Sequence, residues 1–136
     1  MAEQIRLVDY YYVTSPDKPG EGAEVLSVCR QARINLLTIH AFPRGRRTQV
    51  DLVPKNGPAF LRAARKAKWK LSGKKKAFLV TGQDRVGVMA PVLEKLTQAK
   101  VNVTAVTAVS AGKGRFGAIL WVKPKDLRRA SKALGL

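Results

Sequence analysis

The chain carries one pattern twice. An offset of 67 residues (84 minus 17) places Asp17 on Asp84, Gly20 on Gly87, Leu26 on Leu93 and Asn35 on Asn102. A constant spacing across four informative positions marks a duplication, and this period is too long for a solenoid repeat but right for a small domain. The 136 residues therefore read as two copies, residues 1–72 and 73–136. Units of this size bury only about 60% of the surface their unfolded chains expose, so packing against each other or against a second chain is expected.

Each copy reads as strand, helix, strand, strand, helix. In the first, residues 5–13 are rich in Ile, Leu, Val and Tyr and suit a strand, which Ser15-Pro16-Asp17-Lys18-Pro19-Gly20 then breaks. Val25, Leu26, Cys29 and Ala32 recur at helical spacing. Strands over residues 34–42 and 47–53 flank the turn Pro43-Arg44-Gly45-Arg46, and Phe60, Leu61, Ala64 and Ala67 mark a second helix. Trp69-Lys70-Leu71 offers a short fourth strand. The second copy repeats the order with a strand at 77–81 and a helical stripe of Met89, Val92, Leu93, Leu96 and Ala99, in which Pro91 falls early, where a missing amide hydrogen costs least. Strands at 101–110 and 116–122 join through Ala111-Gly112-Lys113-Gly114, and a helix over 126–134 starts with Asp126 at its first turn. The expected fold class is α+β: two ferredoxin-like βαββαβ units, antiparallel sheets with helices on one face, the second unit lacking its last strand.

The charge is strongly positive, with 26 Lys and Arg against nine Asp and Glu and a formal net charge of +17. The excess gathers in Arg62, Arg65, Lys66, Lys68, Lys70, Lys74, Lys75 and Lys76, and again in Lys123, Lys125, Arg128, Arg129 and Lys132. The plain reading is the solvated faces of two corresponding helices; the alternative is a basic nucleic-acid-binding surface. No apolar run approaches the roughly 18 residues of a membrane span, and the first residues lack a signal-peptide pattern, so a cytoplasmic protein without membrane contact is expected.

A single cysteine, Cys29, and a single histidine, His40, exclude an intrachain disulfide and a recognisable zinc cluster, and neither metal nor cofactor is expected. Cys29 lies in an apolar helical stripe and reads as core. His40 has no Ser, Cys or carboxylate evidently arranged around it, so no general base is read there. Gly112-Lys113-Gly114-Arg115-Phe116-Gly117 fits G-x-G-x-x-G, but a dinucleotide site needs those glycines between strand and helix, whereas these join two strands. No constellation for catalysis emerges, and the chain is not read as an enzyme.

Asp17 and Asp84 occupy equivalent turns before a helix, where a carboxylate suits an N-cap and the following glycine frees backbone amides for an anionic group. A strand ending in Asp-x-Pro-Gly, an apolar helix and then Ile-Asn-Leu entering a hairpin resembles the ACT domain, a regulatory amino-acid-binding module. The first copy supplies Asp17-Lys18-Pro19-Gly20 and Ile34-Asn35-Leu36; the second supplies Asp84-Arg85-Val86-Gly87 and Val101-Asn102-Val103. The resemblance covers nearly the whole chain and implies a tandem ACT protein whose ligand, an amino acid or similar small anion, lies between paired domains. Carried over by position, the ligand-binding candidates are Asp17, Gly20, Asn35, Asp84, Gly87 and Asn102, with Val86 departing from the usual proline. The resemblance also implies a regulated enzyme as partner, and small units with exposed edges favour a homodimer. Against the nucleic-acid alternative, the third strand of each copy is poor in the aromatics that stack bases: Phe116 in one, none over 48–52 in the other.

Overall fold

The computed structural model describes residues 3–136. Its elements are β1 (Gln4–Pro16), α1 (Glu21–Gln31), β2 (Leu36–Arg44), β3 (Arg47–Pro54), α2 (Gly57–Lys66), β4 (Lys75–Gln83), α3 (Ala90–Gln98), β5 (Val103–Gly112), β6 (Arg115–Val122), a 3-10 turn at Pro124–Asp126 and α4 (Leu127–Ala133). Two compact units result. An inner unit runs from Asp9 to Lys75, and an outer unit runs from Lys76 to Leu136 and also takes in the chain up to Val8.

In the inner unit the strand order is β2-β3-β1, with β3 antiparallel to both neighbours. Tyr11, Val13, Val50 and Leu52 point to one face, where Val25, Cys29 and Phe60 of the two helices bury them. The Phe60 ring stands 5.5 Å from Tyr11 and 6.1 Å from Trp69, centroid to centroid. Trp69-Lys70-Leu71 does not form the expected regular strand. Instead Ser72 N donates to Tyr12 O at 3.0 Å, while Tyr12 N donates to the Ser72 hydroxyl at 2.9 Å. A side-chain oxygen thus replaces the backbone carbonyl a ladder would use, and the chain docks without building a strand.

In the outer unit β6 pairs with both β4 and β5, giving β4-β6-β5, with β1 beside β4. The core holds Phe78, Val80, Val92, Leu96, Leu120 and Ala130. Among the described residues no strand follows α4, but the fourth position is filled all the same. The first residues of β1 occupy it, and Ile5 packs on this unit's core. Gly82 permits the approach: a Cβ there would sit 3.2 Å from the Phe116 ring and 3.4 Å from Glu3 Cα. An Arg85–Glu3 ion pair at 2.6 Å fastens the same end.

All four helices end alike. The second residue past each C-cap donates back into the last turn: Ile34 to Cys29 O, Trp69 to Ala64 O, Val101 to Leu96 O and Leu136 to Ser131 O. The preceding residue is left-handed in each case, glycine only at Gly135; Arg33, Lys68 and Lys100 adopt φ of 58°, 60° and 58°.

Candidate functional site

The two aspartate–glycine turns lie where a strand hands over to a helix. Gly20 is the N-cap residue of α1 at φ 92°, so the chain turns there without steric cost, and α1 begins at the next residue. Asp17 does not cap that helix, contrary to the sequence reading. Its carboxylate accepts from Thr48 Oγ1 at 3.2 Å, tying the turn to the β2–β3 hairpin. The second copy behaves likewise: α3 has no side-chain cap, Asp84 accepts from the Ser110 hydroxyl, and Asp84 N donates to Gly114 O at 2.8 Å. Here too the carboxylate binds a hairpin rather than a helix end. Without proline to fix its backbone, this turn runs longer. Gly87 has φ 68°, Val86 is fully exposed, and α3 starts only at Ala90.

Asn35 and Asn102 stand apart from these turns. Asp17 follows the Pro16–Arg47 pair, whereas Asn35 precedes the Leu36–Pro54 pair, and its carbonyl accepts from Lys55 N at 2.9 Å. At about 3.3 Å per residue, β3 separates these two ends by roughly 23 Å. Asn102, just before the Val103–Val122 pair, is similarly remote from Asp84, just after the Gln83–Arg115 pair. Each copy therefore brings its Asp and Gly together and leaves its Asn at the opposite end of the sheet.

Two arrangements were hidden from the sequence. On the face of the inner sheet away from the helices, His40 pairs with Asp51, which also pairs with Tyr12. The histidine thus has a carboxylate directly opposite, correcting the expectation of none. The signal was in the hairpin: with a two-residue turn at Gly45-Arg46, partner numbers sum to 91 (44 plus 47), and 40 then meets 51. Asp51 is buried and accepts from Gln49 Nε2 at 2.8 Å. Burial pushes its carboxyl above the usual range, against the pull of Gln49, His40 and Lys75. Tyr10 is pushed up in turn, first by burial and then by Asp51 and Tyr12. Arg44 Cζ and Lys75 Nζ each stand 6.0 Å from the Tyr12 ring centroid.

The second hidden feature is a cleft of about 580 Å³ at the Asp17 end of the inner unit, between α1 and the chain leaving α2. The basic residues are also placed differently from the expected helix faces. Arg62, Arg65 and Lys66 are exposed on α2, but Lys68, Lys70 and Lys74 follow it in the turn and link, and Lys75 and Lys76 open β4. Gly112, Lys113 and Gly114, with φ of 85°, 55° and 71°, make the tight β5–β6 connection, so the glycine pattern is a hairpin. Cys29 is buried, and burial pushes its thiol up.

No protein-family profile matches the sequence, and no curated protein does. Solved structures match over almost the full length. The regulatory subunit of aspartate kinase from Thermus thermophilus, in its ligand-free form, aligns with a TM-score of 0.63 at 16% identity, covering 98% of this chain and 95% of that one. Its counterpart from Thermus flavus gives 0.59 at 15% identity over 98% and 95%. The fold is the ACT-like ferredoxin fold. A protein from Bacteroides thetaiotaomicron superimposes more closely still, with a TM-score of 0.80 at 13% identity over 96% of this chain and 88% of that one. At such identities the likeness carries the ACT-like architecture and nothing about ligands. Among the described residues, no helix is long and apolar enough to cross a membrane.

Proposed function

We propose that this chain is a cytoplasmic regulatory protein of two tandem ACT domains that binds an amino acid and signals its occupancy to a partner enzyme. The observation that supports this most is the ACT-like fold shared nearly end to end with a regulatory subunit rather than with a catalytic domain. The ligand candidates stay Asp17, Gly20 and Asn35 with Asp84, Gly87 and Asn102.

The reading includes a homodimer. β5 is an edge strand of ten residues, paired only with β6, and it holds neither a charged residue nor proline. Val106 and Val109 are exposed on it. Edges are normally blunted by charges, and in a chain of net charge +17 an uncharged edge is where two copies meet with least repulsion. The test of the amino-acid reading is calorimetric and thermal titration of the twenty standard amino acids. Saturation at about 100 Kd would add about 2.7 kcal/mol of stability, and no heat or melting shift for any of them would sink the reading.

A second reading draws on a specific observation. The helix-free face of the inner sheet carries Tyr12 and Phe42, with Arg44 and Lys75 at the Tyr12 ring. The aromatics missing from β3 are supplied by its neighbours, which suits stacking of single-stranded nucleic acid. A gel shift with single-stranded RNA that weakens steeply with salt would favour it.

A further inference from the structure

The cleft at the Asp17 end of the inner unit has two walls of opposite sign. On α1, Glu21 and Glu24 lie one turn apart on the lining side, above the apolar Val25 and Val28. Across from them the chain leaving α2 presents Lys68 and Lys70, with Trp69 between. Arg47 completes the basic side, its guanidinium held by two hydrogen bonds to Thr14, both 3.2 Å. The chain has only nine carboxylates against 26 cations, so two carboxylates on one wall are a local concentration. Complementing the helix dipole accounts for acids in the first turn of α1. It does not account for the cations and indole facing them.

The floor supplies a further observation. Ser15 is 7% exposed, and its hydroxyl is buried without a hydrogen-bond partner among the described residues. An unmade buried hydrogen bond costs about 1–3 kcal/mol, and such groups call for an explanation. Ser15 lines the cleft, and rotation about its single χ bond turns the hydroxyl toward whatever fills it.

The duplication provides an internal control. The 67-residue offset takes Glu24 to Pro91, Val25 to Val92, Lys68 to Gly135 and Trp69 to Leu136, and all four equivalents line a smaller cleft of about 350 Å³ in the outer unit. The hollow is thus a property of the fold. The outer cleft carries one acid, Glu3, and one base, Lys95, whereas two acids on one helix, three cations and the indole belong to the inner copy alone.

We propose that the inner cleft binds one small zwitterion per chain, its ammonium group toward Glu21 and Glu24, its carboxylate toward Lys68, Lys70 and Arg47, and an apolar or aromatic side chain against Trp69 and Val25. This rests on the regulatory reading above but sets the ligand inside a single unit, independent of pairing between units. Carboxylate recognition by fixed cations and an apolar lining are the usual ingredients of small-molecule sites.

The test is calorimetric titration of the twenty standard L-amino acids into the full chain, repeated with Glu24→Gln, Lys68→Gly and Ser15→Ala. Lys68→Gly suits its left-handed position, Ser15→Ala removes an unsatisfied hydroxyl, and urea melts verify that each variant is folded. The expected result is an amino acid bound at one per chain, weakened about tenfold or more by Glu24→Gln and by Lys68→Gly. A shift of the Trp69 indole NMR signal on binding accompanies it, while Lys95→Gln in the outer cleft leaves affinity unchanged. Binding that Glu24→Gln and Lys68→Gly both leave intact, or two equivalents per chain, overturns the inference and leaves the regulatory reading standing. No binding by the wild-type chain overturns both.

Discussion

Asp51 is a carboxylate held out of water on a sheet face, and its environment fixes the sign of its pH dependence. Because burial raises its pKa, the folded chain holds the proton more tightly than the unfolded chain does. The associated stability is present below the ordinary carboxylate value and is lost as pH rises through the raised folded one. Asp51→Asn should therefore be more stable than wild type at pH 7, with the gap closing toward pH 3, as read from urea midpoints across that range. A gap that widens on acidification would refute it. Backbone strain gives a second prediction: Lys100 sits at φ 58° past α3, so Lys100→Gly should add up to about 1 kcal/mol, partly offset by loss of a cation at a helix end. Cys29, 3% exposed with its thiol pushed up, should resist alkylation by iodoacetamide until the chain is unfolded. These residues differ in how far the sequence discloses them. Cys29 is legible from its apolar helical stripe. The Asp51–His40 pair is not, because side chains eleven residues apart meet only once a hairpin register is chosen.

At the level of elements, the helices and hairpins were legible because each is set by local chemistry: apolar spacing, Pro near helix starts, Gly at tight turns. The borders of the units were not. β1 has strand character from end to end, and nothing in a strand's alternation names the neighbour each half will take. Its latter half pairs with β3, while its first residues lie beside β4, far along the chain. Removing the residues up to Val8 should accordingly strip the outer unit of a strand and of Ile5 from its core. The expected outcome is loss of amide protection in β4 and β6 with protection in β2 and β3 largely retained, measured by hydrogen exchange. Equal loss in all four strands would contradict this division. Within the inner unit, Phe60 is fully buried between Tyr11 and Trp69, and Phe60→Ala should cost about 3–5 kcal/mol in urea unfolding.

For the whole molecule, the duplication was the most informative signal, since one constant offset disclosed two copies of a small domain before any element was placed, and the repeated element order then gave the fold class. The candidate ligand residues were less legible. Local motifs say which residues recur but not that Asp17 and Asn35 face opposite ends of a sheet, which only the path of β3 decides. Association belongs to this scale as well. Wild type should sediment as a dimer in analytical ultracentrifugation and Val106→Lys with Val109→Lys as a monomer, with the melting curve of dilute protein little changed; equal masses for the two would discount the β5 edge. The division of β1 has one more consequence, and it concerns the order in which a ribosome releases the chain. The inner unit is a nested insertion: all its strands and both its helices have been synthesised once Lys75 is made, and Tyr12 can close on Ser72 as soon as that stretch has left the ribosome. The outer unit's earliest strand is synthesised first yet meets β4 only after that insertion is complete, since Glu3 and Arg85 are 82 positions apart. At about 5–20 residues per second, the N-terminal strand waits several seconds for its partner, exposed to whatever chaperone or neighbouring nascent chain reaches it first.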